Sequence, residues 1–396
     1  MVAPDKFKGS LESSEVAAIV SAAIRRQDPT AHVVEHPVAD GGEGTVALAL
    51  RHGFSAVSVD VTGPLGSPVR ATYAVRDDLA VVEMASAAGL MLLPGPPTPA
   101  TLRQATTFGV GELVLDAAVR GARQIVVGVG GSATTDGGAG ALEALGVDVA
   151  ALGWTPHRPE ATRAGLSRAL SDIDLVVACD VDNPLTGPVG AAAMYAPQKG
   201  ADQALVVELE DRLTDWAERI SSHTGADARS LPGAGAAGGL AFGLVALAGA
   251  RIVSGIDLIG RLTGLRAAVR AADLMVVGEG SLDEQSLRGK GPIGAARIAA
   301  DERCTVIAIA GRNLLSESET SSAGIRAVYS LLDLEPDPEV CMREARRLLE
   351  EVAGRMADDW MPRLDRPGAI EPVVPLTPAE WREATLSTVD VVEDAC

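Results

Sequence analysis

Residues Ala272–Gly311 read ADLMVVGEGSLDEQSLRGKGPIGAARIAADERCTVIAIAG. The run LMVV carries no polar alternation, as in a strand buried on both faces, and it ends in a glycine turn. The segment GPIGAARIAADE predicts a helix with proline near its start. CTVIAIAG predicts a second strand, and GIRAVYSL, from Gly324, holds a third. Strands alternating with helices indicate a parallel α/β sheet. The N-terminal region reads alike. LESSEVAAIVSAAIRRQ predicts an amphipathic helix, HVVEHPVAD a strand, EGTVALALRHG a helix and SAVSVDV a strand.

The middle of the chain differs. From Gly63 onward, GPLGSPVRATYAV and LAVVEMASAAGL predict shorter strands with Pro/Gly turns, and IDLVVACD predicts another strand further on. The expected organisation is one α/β domain made from both chain ends, 1–62 with 262–362, and a second α/β domain, 63–261, inserted in it. Residues 363–396 read as a Pro-rich acidic tail.

Composition bounds the function. The chain has 396 residues, 47 % of them hydrophobic and only 3 % aromatic, so its core is mostly Ala, Val and Leu. A net charge of −19 argues against nucleic acid or an anionic membrane as partner. An anionic substrate would need a locally positive pocket. Cys179, Cys304, Cys341 and Cys396 form no CxxC pair and no signal peptide is read, so reduced thiols in the cytoplasm are expected. The uncharged run Leu231–Ala250 is rich in Gly, Ala and Pro, and predicts a glycine-rich loop entering a buried helix rather than a membrane span. The five histidines show no metal-ligand spacing.

The densest glycine stretch is Gly128–Gly146, GVGGSATTDGGAGALEALG, after the apolar run QIVVGV. Gly128-x-Gly130-x-x-Ala133 fits a dinucleotide fingerprint. Asp148, however, falls just after Gly146 and would open the next strand, whereas a ribose-binding acid ends it. Walker and protein-kinase patterns are absent. Small residues, the hydroxyls of Ser132, Thr134 and Thr135, and free backbone N–H groups at a helix start instead suit an anion cradle. The alternative is a tightly packed strand-to-helix connection.

Four lysines stand against thirty arginines: Lys6, Lys8, Lys199 and Lys290, all in Gly/Pro/Asp-rich segments. Such a composition suggests lysine where a compact ammonium matters, against a reading as ordinary surface lysines. In ACDVDNPLTG, Asp180 and Asp182 share a face if extended and stand beside Asn183. This hard-oxygen set suits Mg²⁺ or acceptance of a hydroxyl proton, against a plain Asx turn before Pro184. ADGGEGT places Asp40 and Glu43 around Gly41 and Gly42, and GEGSLDEQSLRGKGP places Glu279, Asp283, Gln285 and Lys290 around another turn. Strand C-termini are where open α/β sheets bind ligands. Backbone amides and lysines for phosphates, with acids for Mg²⁺ and proton removal, are the inventory of phosphoryl transfer.

At these residues the chain resembles bacterial glycerate kinases of the glyoxylate- and glucarate-pathway type. The segments that carry the resemblance are APDKFKGSL, ADGGEGT, TGPLG, EMASAAGL, GVGGSATTDGGAG, ACDVDNPLTGP, PGAGAAGGL, GEGSLDEQ and GKGPIGAA, in order from residue 2 to about 355. The resemblance implies ATP-dependent phosphorylation of D-glycerate, at the 2-hydroxyl, with Mg²⁺. It also implies two α/β domains, one flavodoxin-like and built from both chain ends, with the active site in the cleft between them. The chain departs from the family pattern before Ala3, at DVAALGWTPHRPEATRAG after Val147, and in the tail.

The resulting expectation is a glycerate kinase. Lys8 and Lys290 hold phosphates or the glycerate carboxylate, and Asp182, with Asp180 as the near alternative, accepts the hydroxyl proton or holds Mg²⁺. The binding set comprises Lys6, Ser10, Asp40, Gly41, Gly42, Glu43, Gly130, Gly131, Ser132, Thr134, Asp136, Asn183, Glu279, Asp283 and Gln285. Expected partners are ATP, Mg²⁺ and D-glycerate, with no nucleic acid and no membrane, and a homodimer is open as an assembly. Two other classes stand beside this one: an NAD(P)-dependent oxidoreductase, resting on Gly128–Ala133, and a non-catalytic sensor of glycerate or a phosphate ester.

Overall fold

The computed structural model describes residues 1–7, 9–39, 41–155, 157, 170, 172–284, 286–288 and 291–363. The chain divides into two compact units. One comprises residues 1–39 with the chain from Ile256, and the other residues 40–255.

The first unit is built on strands β1 (Val2–Pro4), β8 (Leu274–Leu282), β9 (Thr305–Asn313) and β10 (Ile325–Ser330), all parallel and in that spatial order. Segment 33–38 lies along the free side of β1. Val2 N–H donates to the Val34 carbonyl at 2.8 Å and Val38 N–H to that of Pro4 at 3.0 Å, with one parallel bridge between Val2 and Glu35. The strand expected there is thus a single bridge plus flanking bonds, interrupted by Pro37, which has no N–H to donate. Counted as the second strand, it gives the order 2-1-3-4-5, the flavodoxin-like arrangement.

Apolar residues of β8 and β9 alternate between two cores. Val276, Ile307 and Ile309 pack with helices Ser13–Gln27 and Ala345–Trp360, and Met275, Val277, Val306 and Ala308 with helix Gly291–Asp301. Both faces are covered, which is why these strands read as unbroken apolar runs. Helix Ser13–Gln27 starts at a capping box formed by Glu12 and Glu15, buries Val16, Val20, Ala23 and Ile24 on one face, and ends in Arg25 and Arg26.

The second unit holds a mixed six-stranded sheet. β2 (Ser55–Thr62), β3 (Pro68–Arg76) and β4 (Leu79–Glu83) form an antiparallel meander. β4, β5 (Gln124–Gly128), β6 (Asp174–Ala178) and β7 (Arg251–Val253) then run parallel. β2 is fully paired with β3, from Ser55↔Val75 to Thr62↔Pro68. It therefore belongs to this sheet, and the compact units divide at Asp40 and Gly255 rather than at the 62/63 and 261/262 positions read from the sequence. Alternation shows that SAVSVDV is a strand; it carries no information on which sheet takes it.

Leu231–Ala250 is a glycine-rich turn followed by helix Ala236–Ala248, in which Leu240, Phe242 and Leu244 are buried. Among the described residues no helix is long and apolar enough to cross a membrane. Asp148 does not open a strand. Its carboxylate accepts the Ala151 N–H at 3.1 Å within an exposed turn.

Candidate active site

In the first unit the strand order reverses direction at β1 and β8, the position where open α/β sheets bind ligands beyond their carboxyl ends. The segments that leave these two strands are DKFKGSL and EGSLDEQ. Asp5 Oδ1 accepts its neighbour's amide, Lys6 N–H, at 2.7 Å. A Cβ built on Gly291, the first residue of helix Gly291–Asp301, would lie 3.3 Å from Asp5 Oδ2, so the Asp5 carboxylate sits at the start of that helix. Ser10 lies in the tight turn after Phe7, donating its hydroxyl to the Phe7 carbonyl. Glu279 is half-buried near the end of β8. Asp283 caps the turn that follows, accepting from the Ser281 hydroxyl at 3.2 Å and from Ser286 N–H at 3.3 Å. Arg312, at the end of β9, donates through Nε to the Ser281 hydroxyl at 2.9 Å. That arginine brings a positive charge to the acid cluster, and the sequence reading did not single it out although Gly311 precedes it.

In the second unit the parallel strands β4–β7 end on one edge, and four loops converge there. The glycine loop leaves β5, and its glycines meet other backbone. A Cβ on Gly128 would lie 2.0 Å from the Gly41 carbonyl oxygen, and one on Gly130 would lie 2.4 Å from Gly42 Cα. The Gly41-Gly42-Glu43 segment is thus laid directly on the glycine loop, with the Glu43 carboxylate against Gly131. Thr45 donates its hydroxyl to the Gly42 carbonyl at 2.7 Å, and Glu83, at the end of β4, accepts Val46 N–H at the start of helix Thr45–Arg51. Close packing therefore accounts for the glycines at the start of the loop.

The rest of the loop is held by its acid. Asp136 is 6 % exposed, and its carboxylate accepts four bonds: Thr107 N–H and hydroxyl, both at 2.8 Å, Gly138 N–H at 3.1 Å and Gly140 N–H at 3.3 Å. It staples the loop to the start of helix Phe108–Val119 and to that of helix Ala139–Ala144. Ser132 is buried beside Gly89 through an antiparallel bridge, and Thr134 is buried with its carbonyl accepting Lys199 Nζ at 2.6 Å. Burial pulls the Lys199 ammonium down to about 7, against the opposing pull of Asp136. Thr134, Thr135 and Asp136 are all buried, yet among the described residues their backbone N–H groups meet no acceptor, and neither does the Thr135 hydroxyl.

After β6, Asp180 and Asp182 part company. Asp180 is half-buried, and its Oδ1 accepts the Ser254 hydroxyl and Gly255 N–H, both at 2.9 Å. Asp182 is exposed. Asn183 is 3 % exposed and its amide is used inside the loop: Nδ2 donates to the Val189 carbonyl at 2.7 Å, and the Tyr195 hydroxyl donates to Oδ1. Among the described residues no group of three or more His, Cys, Asp or Glu is placed to hold a metal ion. Lys8, Asp40, Gln285 and Lys290 lie outside the described residues.

The geometry separates the expected site residues into two kinds. The side chains of Asp136 and Asn183 are structural ties, the first joining its loop to Thr107 and the second bonding to Val189 and Tyr195. Asp180, Asp182, Glu279 and Asp283 stand at or near strand carboxyl ends, and Glu43 just before helix Thr45–Arg51, all with partial or full exposure. The sequence expectation missed Arg312 and Glu83, and gave Lys199 no role although its rarity marked it.

The glycerate kinase family model matches residues 1–361. The chain is 39 % identical over 371 residues to a glycerate kinase of Halalkalibacterium halodurans, covering 90 % of this chain and 97 % of that one. It is 40 % identical over 350 residues to the glycerate 2-kinase of Escherichia coli K12, covering 84 % and 90 %. A crystal structure of a Salmonella typhimurium LT2 protein assigned as glycerate kinase 2 superposes with a TM-score of 0.69 at 35 % identity, covering 91 % of this chain and 98 % of the other. Neither the oxidoreductase nor the sensor reading gains support from these relatives. The chain belongs to the glycerate kinase family.

Proposed function

We propose that this enzyme transfers the terminal phosphoryl group of ATP to the 2-hydroxyl of D-glycerate, with Mg²⁺. The observation that carries the reading is the run of buried, acceptor-less amides at Thr134–Asp136 on the carboxyl edge of a parallel sheet. Buried amides are almost always paired, so this run calls for an oxyanion. The 2-hydroxyl is taken from the likeness to the glycerate 2-kinase of Escherichia coli. Asp182 accepts the hydroxyl proton as the oxygen attacks phosphorus, the bond to the bridging oxygen breaks, and ADP leaves. Asp180, fixed by Ser254 and Gly255, holds the strand end in register for it.

The donor set fits Mg²⁺. In phosphoryl transfer this ion takes one or two carboxylates and completes its shell with phosphates and water, so Asp180 alone would suffice to hold it while Asp182 takes the proton. When bound, the ion supplies charge neutralisation at the phosphoryl group. Lys8 and Lys290 supply fixed positive charge for the phosphates or the glycerate carboxylate, in a chain of net charge −19. A coupled ADP-release assay across small hydroxy acids tests the proposal. Turnover selective for D-glycerate is expected, and tight binding without turnover would return the sensor reading.

A further inference from the structure

Lys199 sits on the single 3₁₀ turn Pro197–Lys199. It is 2 % exposed, and among the described residues its Nζ has one acceptor, the Thr134 carbonyl at 2.6 Å. The charge that acts on it is Asp136, from the loop itself, which also draws Arg212 of helix Gln203–Thr224, whose guanidinium lies 3.9 Å from the Trp154 ring centroid. Asp136 is already engaged by four other donors. An ammonium taken wholly out of water for one carbonyl is costly, and an apolar side chain of similar length would fill the same space at less cost. The retained amine, a donor buried for one carbonyl, therefore points to a task that packing alone does not perform.

The peptide unit supplies that task. The carbonyl of Thr134 and the N–H of Thr135 belong to one planar trans group and point in opposite directions. Drawing the carbonyl toward Lys199 turns the Thr135 N–H away from it, and that N–H is one of the three without an acceptor. We propose that Lys199 is a positioning residue: by holding the Thr134 carbonyl it presents the amides of Thr134, Thr135 and Asp136 to an oxyanion of the substrates. The inference rests on the loop's role in the reaction proposed above and adds the residue that sets its conformation. The oxyanion is a phosphate of ATP or the carboxylate of glycerate.

Hydrogen exchange combined with steady-state kinetics tests this. In the wild-type chain, saturating ATP or glycerate slows exchange of the 134–136 amides, and the ligand that does so identifies the oxyanion. Protection by neither overturns the proposal, even if glycerate is turned over. In Lys199→Met, the 130–138 amides exchange at least about tenfold faster while those of β5 are unchanged. kcat/KM falls at least about tenfold, and KM rises chiefly for the ligand identified in the wild type. Loop exchange like that of the wild type, or turnover within twofold of it, overturns the proposal. Should Lys199→Met not fold, the wild-type protection experiment still decides whether these amides face a substrate. A wild type that phosphorylates no hydroxy acid removes the kinase reading separately.

Discussion

The loop Gly130–Gly138 and the loop that leaves β8 both follow the carboxyl end of a buried parallel strand, yet they treat their acids in opposite ways. Asp136 is buried under four donors with two cations nearby, and the glycines at the start of its loop exist so that Gly41-Gly42-Glu43 can lie on it. Asp283 caps a short turn at a half-buried position and shares Ser281 with the exposed Arg312. The first loop is a preorganised backbone frame whose side chains face inward. The second is a cluster of charged side chains at the sheet's switch point. Identical composition cues, glycine beside acid, thus mark two different arrangements, one that leaves backbone amides without acceptors and one that gathers charged side chains.

The largest expected effect concerns Lys199, the buried amine that bonds the first loop at the Thr134 carbonyl. Its folded value, about 7, lies below the unfolded value near 10.5, so between these limits the unfolded chain holds a proton that the folded chain does not. Stability from this group therefore rises with pH across that window. The cost of burial is fully present below about 7 and gone above about 10.5. The stability difference between wild type and Lys199→Met should shift in favour of wild type by up to about 5 kcal/mol from pH 7 to 10.5, as read by denaturant unfolding. A difference independent of pH would show that Lys199 is not the shielded group described.

Next come the glycines. Gly128→Ala forces Cβ to 2.0 Å from the Gly41 carbonyl oxygen, where only backbone movement gives relief, and should cost about 3 kcal/mol or more. Gly44→Ala meets nothing within 4 Å and pays only for its positive φ of 102°, about 1–2 kcal/mol. Thermal unfolding of the two variants checks this, and equal losses would erase the claim that close backbone approach explains the glycine density.

In the second loop Lys290 carries the test. Lys290→Arg should lose at least about tenfold in kcat/KM, about 1.4 kcal/mol, and Lys290→Ala more, with kcat falling more than KM rises and with melting unchanged. Kinetics of Lys290→Ala within twofold of the parent would leave it an ordinary surface lysine. The smallest effect is expected from truncation after Arg363, beyond the 1–361 span of the family match, which should leave turnover nearly intact. A tenfold loss of activity would show that the tail acts on one of the two regions.

Much of the fold was legible in the sequence because strands buried on both faces must be continuous apolar runs: LMVV, TVIAIA and LVVA each became the strand expected. The unit boundary was not, because Ser55–Thr62 alternates as any half-buried strand does and only its pairing with β3 reveals its sheet. In the site, the glycine loop drew attention to Asp136, the Asp180–Asn183 cluster to Asn183, and rarity to Lys199. A buried tie and a ligand contact, however, ask for the same residue types, and only burial and partners separate them. The side chains of Asn183 and Asp136 are engaged within the protein. Lys199 was visible as one of four lysines, but its enclosure depends on Pro197–Lys199 folding against a loop more than sixty residues earlier in the chain. Arg312 follows a strand-end glycine, Gly311, but its place beside Asp283 comes from the pairing of β8 with β9, which no local pattern shows.

The central proposal is phosphoryl transfer from ATP to the 2-hydroxyl of D-glycerate. Phosphorus NMR of the product made from D-glycerate, ATP and Mg²⁺ tests it most directly. The account predicts the resonance of 2-phosphoglycerate appearing together with those of ADP. A clean 3-phosphoglycerate signal, or no phosphate ester at all, would contradict it.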